Sequence, residues 1–283
     1  MRALHDVPAP AKLNLFLHIT GRRADGYHLL QSVFVLIDWC DTLHFELRPD
    51  GAITREDLGA ALPPDDLCLR AARALQRATG CTQGAHIAID KRIPAQAGMG
   101  GGSSDAASVL LALNRLWGLG LTRAQLQALA LALGADVPFF LCGTNAWVEG
   151  IGDIICPLEL QHAFECERFV VVKPEAGLDT KAIFSSPLLK RDSQRATIAD
   201  FAAAPNRFTQ NDLQPVAQAL CPDVDKALQW LASKGLSGRM TGSGSAVFAQ
   251  SSRAVDLLDA PAAWQVRMCE NLGLHPLAGW ARD

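Results

Sequence analysis

The sequence predicts an α+β protein of two domains, and two observations lead to this prediction. Segments that resemble β-strands and segments with apolar residues at helical spacing occur together in both halves of the chain. They do not follow the regular strand–helix alternation that builds a doubly wound parallel sheet. At 283 residues, the chain is also long enough for two buried cores. We expect an N-terminal domain over residues 1–152 and a C-terminal domain over residues 153–283.

Individual elements follow from local patterns. In the first half and at its end, strands are predicted at 13–19, 28–38, 42–48, 86–90, 145–149 and 153–158. An Asp25-Gly26 pair predicts the turn of a hairpin between the first two strands. Helices are predicted at 67–80, 106–117 and 122–134. The last of these begins with a capping box of Thr122 and Gln125 and stops at Gly134.

The second half begins with a predicted strand at 168–174. Helical patterns follow at 180–185, 212–220 and 222–234, with Pro222 in a first turn and Gly235 as a stop. Segment 238–250, GRMTGSGSAVFAQ, predicts two short strands joined by glycines.

Residues 94–105, PAQAGMGGGSSD, form a glycine-rich segment between a predicted strand and a predicted helix. Glycine permits positive φ and close backbone approach, and Ser103 or Ser104 is a suitable N-cap for the helix. Such a turn directs unpaired N–H groups and the positive end of a helix at one point, where an anion binds well. The segment fits neither the P-loop pattern nor the dinucleotide fingerprint. A merely tight connecting loop is the alternative interpretation.

Composition excludes several classes of partner. The formal net charge is −3 and no basic stripe dominates, so neither nucleic acid nor an anionic membrane surface is expected as a partner. The 8 cysteines are scattered without metal-binding or redox spacing, which favours free thiols in a reducing cytoplasm. No apolar signal core and no membrane-spanning stretch is evident. We expect a cytoplasmic protein that acts on a small molecule.

Three segments resemble the motifs of the GHMP kinase superfamily, which includes galacto-, homoserine, mevalonate and phosphomevalonate kinases. PAPAKLNLFL (8–17) is similar to the first motif, the glycine-rich segment to the second and RMTGSGSAVF (239–248) to the third. GRRADGYHLLQSVF and LGADVPFFL narrow the resemblance to the kinases of 4-diphosphocytidyl-2-C-methyl-D-erythritol in the non-mevalonate isoprenoid route. Met99 departs from the leucine that is commoner in this loop, but its similar size should leave the backbone cradle intact.

This resemblance implies a two-domain GHMP kinase fold with the active site in the cleft between the domains. It also implies ATP-dependent phosphorylation of the substrate's 2-hydroxyl, with Mg²⁺ accompanying ATP. Two alternatives stay open. One is a GHMP kinase that acts on another small alcohol such as homoserine or mevalonate. The other is a regulator that binds nucleotide without catalysis, against which the presence of both Lys12 and Asp136 argues.

Lys12 and Asp136 are the catalytic pair that the resemblance implies. Asp136 would accept the hydroxyl proton or orient the hydroxyl, and Lys12 would keep it ionised and stabilise developing negative charge. Taken alone, Lys12 could be an ordinary solvated lysine, and Asp136 could cap the short helix that follows it.

The resemblance also implies the remaining site residues. The ATP site would comprise Lys91, Pro94, Ala95, Gln96, Ala97, Gly98, Met99, Gly100, Gly101, Gly102, Ser103 and Ser104. The acceptor site would comprise Asn14, Tyr27, His28, Thr180, Phe184, Thr241 and Gly242. Tyr27, the chain's only tyrosine, and Phe184 would stack on the cytosine, and His28 would hydrogen-bond the edge of the base through its backbone or its ring. Otherwise, Tyr27 is a surface ring and Phe184 a core residue. Ser103, Ser104 and Asp105 are possible ligands of Mg²⁺.

Overall fold

The computed structural model describes residues 1–158 and 168–283. Its first half is built on a six-stranded sheet. The strands are β1 (Ala3–Arg22), β2 (His28–Arg48), β3 (Ile53–Asp57), β4 (Gly84–Asp90), β5 (Ala146–Gly150) and β6 (Ile154–Pro157). They are ordered β3-β4-β2-β5-β6, and β1 pairs with β2. The β3–β4 pair is parallel and the other pairs are antiparallel.

Four helices accompany this sheet: α1 (Leu67–Thr79), α2 (Gly101–Leu116), α3 (Arg123–Ala130) and α4 (Val137–Cys142). Helix α2 is the central one, because it contacts α1, α3, α4 and strand β1. Every residue of α2 from Ser104 to Asn114 is buried. Burial on all sides fixes its N-terminus, where the glycine-rich segment ends.

The second half is built on a four-stranded sheet ordered β10-β7-β9-β8. Its strands are β7 (Arg168–Lys173), β8 (Arg239–Met240), β9 (Val247–Gln250) and β10 (Gln265–Glu270). The accompanying helices are α5 (Thr180–Ser185), α6 (Ile198–Ala203), α7 (Gln214–Leu220) and α8 (Pro222–Ser233). No helix within the described residues is long and apolar enough to cross a membrane.

Strands β1 and β2 join the two halves, because their side chains alternate between two cores. Phe34 and Leu36 face the core that contains the first-half helices. Leu13 and Val35 face a second core, which they share with Phe169 and other residues of the four-stranded sheet. The first two strands of the chain therefore contribute to both cores. The proposed division at residue 152 stays a prediction, and β6 beyond it pairs with β5.

Most predicted elements are present. The hairpin turns at Asp25-Gly26, where Gly26 has φ of 94°. Helix α1 ends on Gly80 in the left-handed region, and Thr122 and Gln125 form the capping box of α3. Strands β5 and β6 form a hairpin, and β8 and β9 are the two short strands of the third motif.

Several boundaries were predicted wrongly. Segments 28–38 and 42–48 are parts of one strand, β2. Helix α2 begins at Gly101, so neither Ser103 nor Ser104 is its N-cap; both lie in its first turn. Helix α3 ends at Ala130, four residues before the predicted stop at Gly134. Elements β3, α6 and β10 were not predicted.

Candidate active site

Backbone hydrogen bonds join the first motif (8–17), the glycine-rich segment (94–105) and the third motif (239–248). From the first motif, the Lys12 N–H donates to the Met99 carbonyl over 3.0 Å. From the third, the Ser245 N–H donates to the Gln96 carbonyl at 3.0 Å and the Ala246 N–H to the Ala97 carbonyl at 3.3 Å. Segments separated by more than 200 residues therefore form one site around the glycine-rich segment.

Glycine is required in this segment for two distinct reasons. Gly98 has φ of 70°, and a Cβ there would lie only 2.3 Å from the Thr241 carbonyl oxygen, so it allows two loops to touch. Gly100 has φ of 72°, and a Cβ there would lie 3.0 Å from the Phe140 ring and 3.3 Å from Lys12 Cγ. The segment is thus packed between other elements.

The segment ends at the N-terminus of α2. Its N-cap is Gly100, whose left-handed conformation turns the chain into the helix without a side-chain cap. The first backbone bond of the helix runs from the Ser104 N–H to the Gly100 carbonyl at 2.9 Å. The N–H groups of Gly101, Gly102 and Ser103 precede it and carry the positive end of the helix. Their arrangement suits an anion such as a phosphate group.

Lys12 is a buried lysine, with 3% of its surface exposed. Its Nζ lies 3.6 Å from Asp136 Oδ2, donates to Asn14 Oδ1 at 2.6 Å and lies 4.3 Å from the centre of the Phe34 ring. Burial lowers the pKa of Lys12 below its ordinary value, and the Asp136 carboxylate partly opposes this shift. The interpretation of Lys12 as a solvated surface lysine was therefore wrong.

Asp136 precedes α4, but its side chain does not cap that helix. The residue has a helical backbone conformation, and Pro138 lies in the first turn. The side chain is 30% exposed and faces Lys12, so it combines access to solvent with a fixed cationic neighbour. A carboxylate in this position can accept a proton from a bound hydroxyl group.

Asn14 connects this pair to the third motif. Its side chain accepts from Lys12 and donates to Ser32 Oγ at 3.0 Å, and its backbone N–H donates to Thr241 Oγ1 at 2.9 Å. The Thr241 hydroxyl in turn donates to Asn14 Oδ1 at 3.3 Å. Asn14 is buried, so these bonds hold Lys12 in one orientation.

Lys91 lies under the N-terminus of α2 between two buried carboxylates. Its Nζ pairs with Asp41 Oδ2 and, at 2.5 Å, with Asp105 Oδ2. Burial raises the pKa of Asp105 to about 8 despite the neighbouring ammonium group. Asp41 and Asp105 raise the pKa of Lys91 against the effect of burial. Asp105 Oδ1 and the Ser104 hydroxyl oxygen are buried and have no hydrogen-bond partner within the described part of the chain.

The remaining residues of the predicted ATP site differ in exposure. Ala95, Gln96 and Gly102 are exposed, whereas Pro94, Ala97, Met99 and Ser104 are buried. The buried apolar residues can offer a ligand little more than their backbone groups, whereas Ser104 also has a hydroxyl oxygen without a hydrogen-bond partner within the described residues. Met99 fills a core position at 1% exposure, which agrees with the expectation that it replaces leucine without disturbing the loop.

A second group of predicted residues lies at the end of the β1–β2 hairpin. The ring of His28 stands 5.2 Å from that of Phe184 on α5, at an angle of 35°. Tyr27 is 61% exposed, as expected for a ring beside a tight turn. Phe184 is half-buried and packs against the core of the second half. The structure thus brings His28 and Phe184 together and leaves the Tyr27 ring open to solvent.

Two further predicted residues are Thr180, at the start of α5, and Gly242, in the third motif. The Thr180 hydroxyl bonds with the Ser243 hydroxyl at 2.7 Å, which links α5 to the third motif. Gly242 has φ of 53°, and a Cβ there would lie 2.6 Å from the Gly98 carbonyl oxygen. The third motif is thereby pressed directly onto the glycine-rich segment.

Several site residues were not found from the sequence. Asp41 was read as part of a break between strands, and Asp105 was considered only as a metal ligand. Arg191 was missed altogether, although its Nε donates to His28 Nε2 at 3.0 Å. The two residues are 163 positions apart, and no local pattern could have joined them.

Comparisons with known proteins agree with this architecture. Residues 66–144 match the family described as GHMP kinases N terminal domain, and residues 189–265 match GHMP kinases C terminal. A 4-diphosphocytidyl-2-C-methyl-D-erythritol kinase of Paracidovorax citrulli is 72% identical over 100% of this chain and 99% of its own length. Its counterpart from Acidovorax sp. strain JS42 is 73% identical over 99% of both chains.

Solved structures are similar as well. A crystal structure of 4-(cytidine 5'-diphospho)-2C-methyl-D-erythritol kinase aligns with a TM-score of 0.78 and 32% identity, covering 93% of this chain and 98% of that one. A homoserine kinase from Cytophaga hutchinsonii aligns with a TM-score of 0.71 at 16% identity, which shows a shared fold alone. The chain therefore belongs to the GHMP kinases and, among them, to the family of 4-diphosphocytidyl-2-C-methyl-D-erythritol kinases.

Proposed function

We propose that this kinase transfers the γ-phosphoryl group of ATP to the 2-hydroxyl of 4-diphosphocytidyl-2-C-methyl-D-erythritol, a step in isoprenoid precursor biosynthesis. The observation that carries the proposal is the buried Lys12 ammonium, 3.6 Å from the accessible Asp136 carboxylate and packed against Gly100 of the glycine-rich segment. A cation, a base and a phosphate cradle are what phosphoryl transfer to an alcohol requires.

ATP would bind along the glycine-rich segment. The free N–H groups at the start of α2 would face its phosphates, because a helix N-terminus favours negative charge. Lys91 would support the glycine-rich segment from the protein interior. Its contacts with the carboxyl groups of Asp41 and Asp105 fix the end of β4 against the first turn of α2, and so support the cradle from its buried side.

The acceptor hydroxyl would lie between Lys12 and Asp136. Its oxygen attacks the γ-phosphorus, the bond from that phosphorus to the bridging oxygen breaks, and ADP leaves. The hydroxyl proton passes to Asp136, or is held by it until the new bond has formed. Lys12 stabilises the negative charge that develops on the transferred group, and Asn14 keeps its ammonium in place.

Mg²⁺ would accompany ATP and offset the charge of the phosphates. Within the described residues, no group of three or more His, Cys, Asp or Glu side chains could hold a metal ion. The ion would be bound mainly by phosphate oxygens and water, as Mg²⁺ commonly is in kinases. Ser103, Ser104 and Asp105 are the nearby oxygen ligands that could complete its coordination, and two of them have an unpartnered buried oxygen.

The cytidine base would bind at the end of the β1–β2 hairpin. Tyr27 and Phe184 would stack on it, and His28 would contact its edge. Thr180, Thr241 and Gly242 would line the path from the base to the acceptor hydroxyl, since Thr180 bonds to Ser243 of the third motif and Thr241 bonds to Asn14 beside Lys12. We further propose that residues 1–152 and 153–283 form the two domains. The seven described cysteines are free, which is consistent with a reducing compartment such as the cytoplasm.

Coupled ADP release tests the proposal. The purified protein is offered ATP with the cytidine-linked methylerythritol, homoserine, mevalonate or galactose in parallel. We expect rapid ADP release with the first substrate and background rates with the others. A higher rate with any other alcohol would transfer the proposal to that substrate, and background rates with all four would contradict kinase activity on these alcohols.

A further inference from the structure

Arg191 is placed to control the ring of His28. Its Nε donates to His28 Nε2 at 3.0 Å. The other guanidinium nitrogens donate to three carbonyls of the segment that follows the Phe184 ring, those of Phe184 at 3.3 Å, Ser186 at 2.8 Å and Leu189 at 3.0 Å. Four bonds therefore fix the guanidinium group itself, so that it acts as a rigid donor.

This contact determines where the proton of the His28 ring lies. A guanidinium group only donates hydrogen bonds, so Nε2 must be the bare nitrogen and the ring proton must be on Nδ1. Burial and then the charges of Arg191 and Arg22 lower the pKa of His28, which keeps the ring neutral. These two arginines are the charged groups that face the ring, one from the segment after α5 and one from β1.

We infer that Arg191 is a positioning residue for recognition of the cytidine base: it holds His28 as a neutral ring whose one N–H, on Nδ1, is presented to the substrate. This inference rests on the proposed function, because it assigns a task to the proposed base site. An N–H donor at this position suits the acceptor atoms of cytosine, N3 and O2. Where it meets N3 it opposes uracil, because N3 of uracil carries a hydrogen, whereas O2 is an acceptor in both bases.

The first test is made on the unaltered protein. Nitrogen-15 spectra of histidine-labelled protein distinguish a protonated ring nitrogen from a bare one, and His28→Gln assigns the signals. We expect Nδ1 to be protonated and Nε2 bare at pH 7.5. The opposite tautomer would overturn the inference, whether or not any variant folds.

The second test uses Arg191→Met, with Arg195→Met as the matched control. Arg195 lies on the same segment but pairs with Glu149. Without Arg191, the neutral ring distributes its proton over both nitrogens. We expect KM for the cytidine-linked substrate to rise about tenfold at pH 8, with KM for ATP unchanged. Acidification to about pH 6 should partly restore binding, because a protonated ring again carries a proton on Nδ1.

The outcomes separate this inference from the proposed function. Failure of the unaltered protein to phosphorylate the cytidine-linked substrate would refute the proposed function. Normal turnover by the unaltered protein together with an unchanged KM in Arg191→Met would refute the role of Arg191. Equal increases in both KM values, or no restoration at low pH, would also contradict it, because general damage to the segment would explain such a result.

Discussion

Replacing Lys12 with methionine should greatly reduce turnover while leaving the fold as stable as before, or more so. At 3.6 Å the attraction between Lys12 and Asp136 lies between about 1 kcal/mol in water and about 5 kcal/mol in a protein-like medium. The lowered pKa of Lys12 means that the cost of burying its charge exceeds this attraction. The unfolded chain, in which Lys12 has its ordinary pKa of 10.5, binds the Lys12 proton more tightly than the folded chain does. At neutral pH the charged lysine therefore lowers the free energy of unfolding relative to an uncharged side chain.

Methionine removes the buried charge and keeps much of the side chain's volume. We expect the free energy of unfolding to stay equal or to rise by up to about 2 kcal/mol, as is common when buried charges are replaced by apolar groups. Turnover should fall by roughly 10²- to 10⁴-fold. Asp136→Asn should lower turnover similarly while retaining nucleotide binding.

Urea unfolding and the coupled ADP assay measure the two effects on one preparation. Lys226→Met is the control, because Lys226 is an exposed lysine on α8 and should change neither quantity. Near-normal turnover of Lys12→Met would refute the catalytic role. A loss of more than about 2 kcal/mol of stability would show that Lys12 is needed for the fold, and the decline in turnover would then prove nothing about chemistry.

Three further changes test other parts of the account. Gly98→Ala should lower both ATP affinity and Tm, because its Cβ would lie 2.3 Å from the Thr241 carbonyl oxygen. Gly102→Ala should lower neither, because the nearest atom to its Cβ would be 3.6 Å away. Calorimetry that finds the two variants alike would contradict this prediction. Asp105→Asn should reduce the pH dependence of Tm. The protonated Asp105 carboxyl stabilises the fold fully below about pH 4, and this stabilisation is lost as the pH rises through about 8. A Tm profile from pH 5 to 9 that is identical in the variant and the unaltered protein would exclude the raised pKa. Tyr27→Ala should weaken binding of the cytidine-linked substrate by about 1 to 3 kcal/mol and leave ATP binding unchanged, and titrations showing equal losses of both would point to general damage.

Local patterns predicted the elements whose cause is local. Helix α1 follows from apolar spacing and the left-handed Gly80, and the hairpin follows from Asp25-Gly26. The gap left between the strands predicted at 28–38 and 42–48 was wrong, because the fold continues β2 through the polar residue Asp41. Asp41 is fully buried, pairs with Lys91 and accepts hydrogen bonds from the backbone N–H groups of Arg92 and Ile93. A long-range ion pair thus compensates for a residue that local rules place outside a strand.

The site was predicted from the sequence in its parts but not in its assembly. The motifs around Lys12 and Asp136 are visible because each is contiguous, and the resemblance supplied their roles. The start of α2 was misplaced because two serines imitate an N-cap, whereas contact with Phe140 and Lys12 demands glycine at position 100. Arg191 depends on tertiary structure alone, so only the fold reveals it.

Phosphorus-31 NMR of the reaction product tests the central claim most directly. The carbon that bears the 2-hydroxyl of the substrate also bears the methyl group and therefore carries no hydrogen. We predict one new phosphate signal, in amounts equal to the ADP formed, that shows no three-bond coupling to a carbinol proton. A new signal split by such a proton would place the phosphate on another hydroxyl, and ADP release without any new phosphate ester would show hydrolysis instead of transfer.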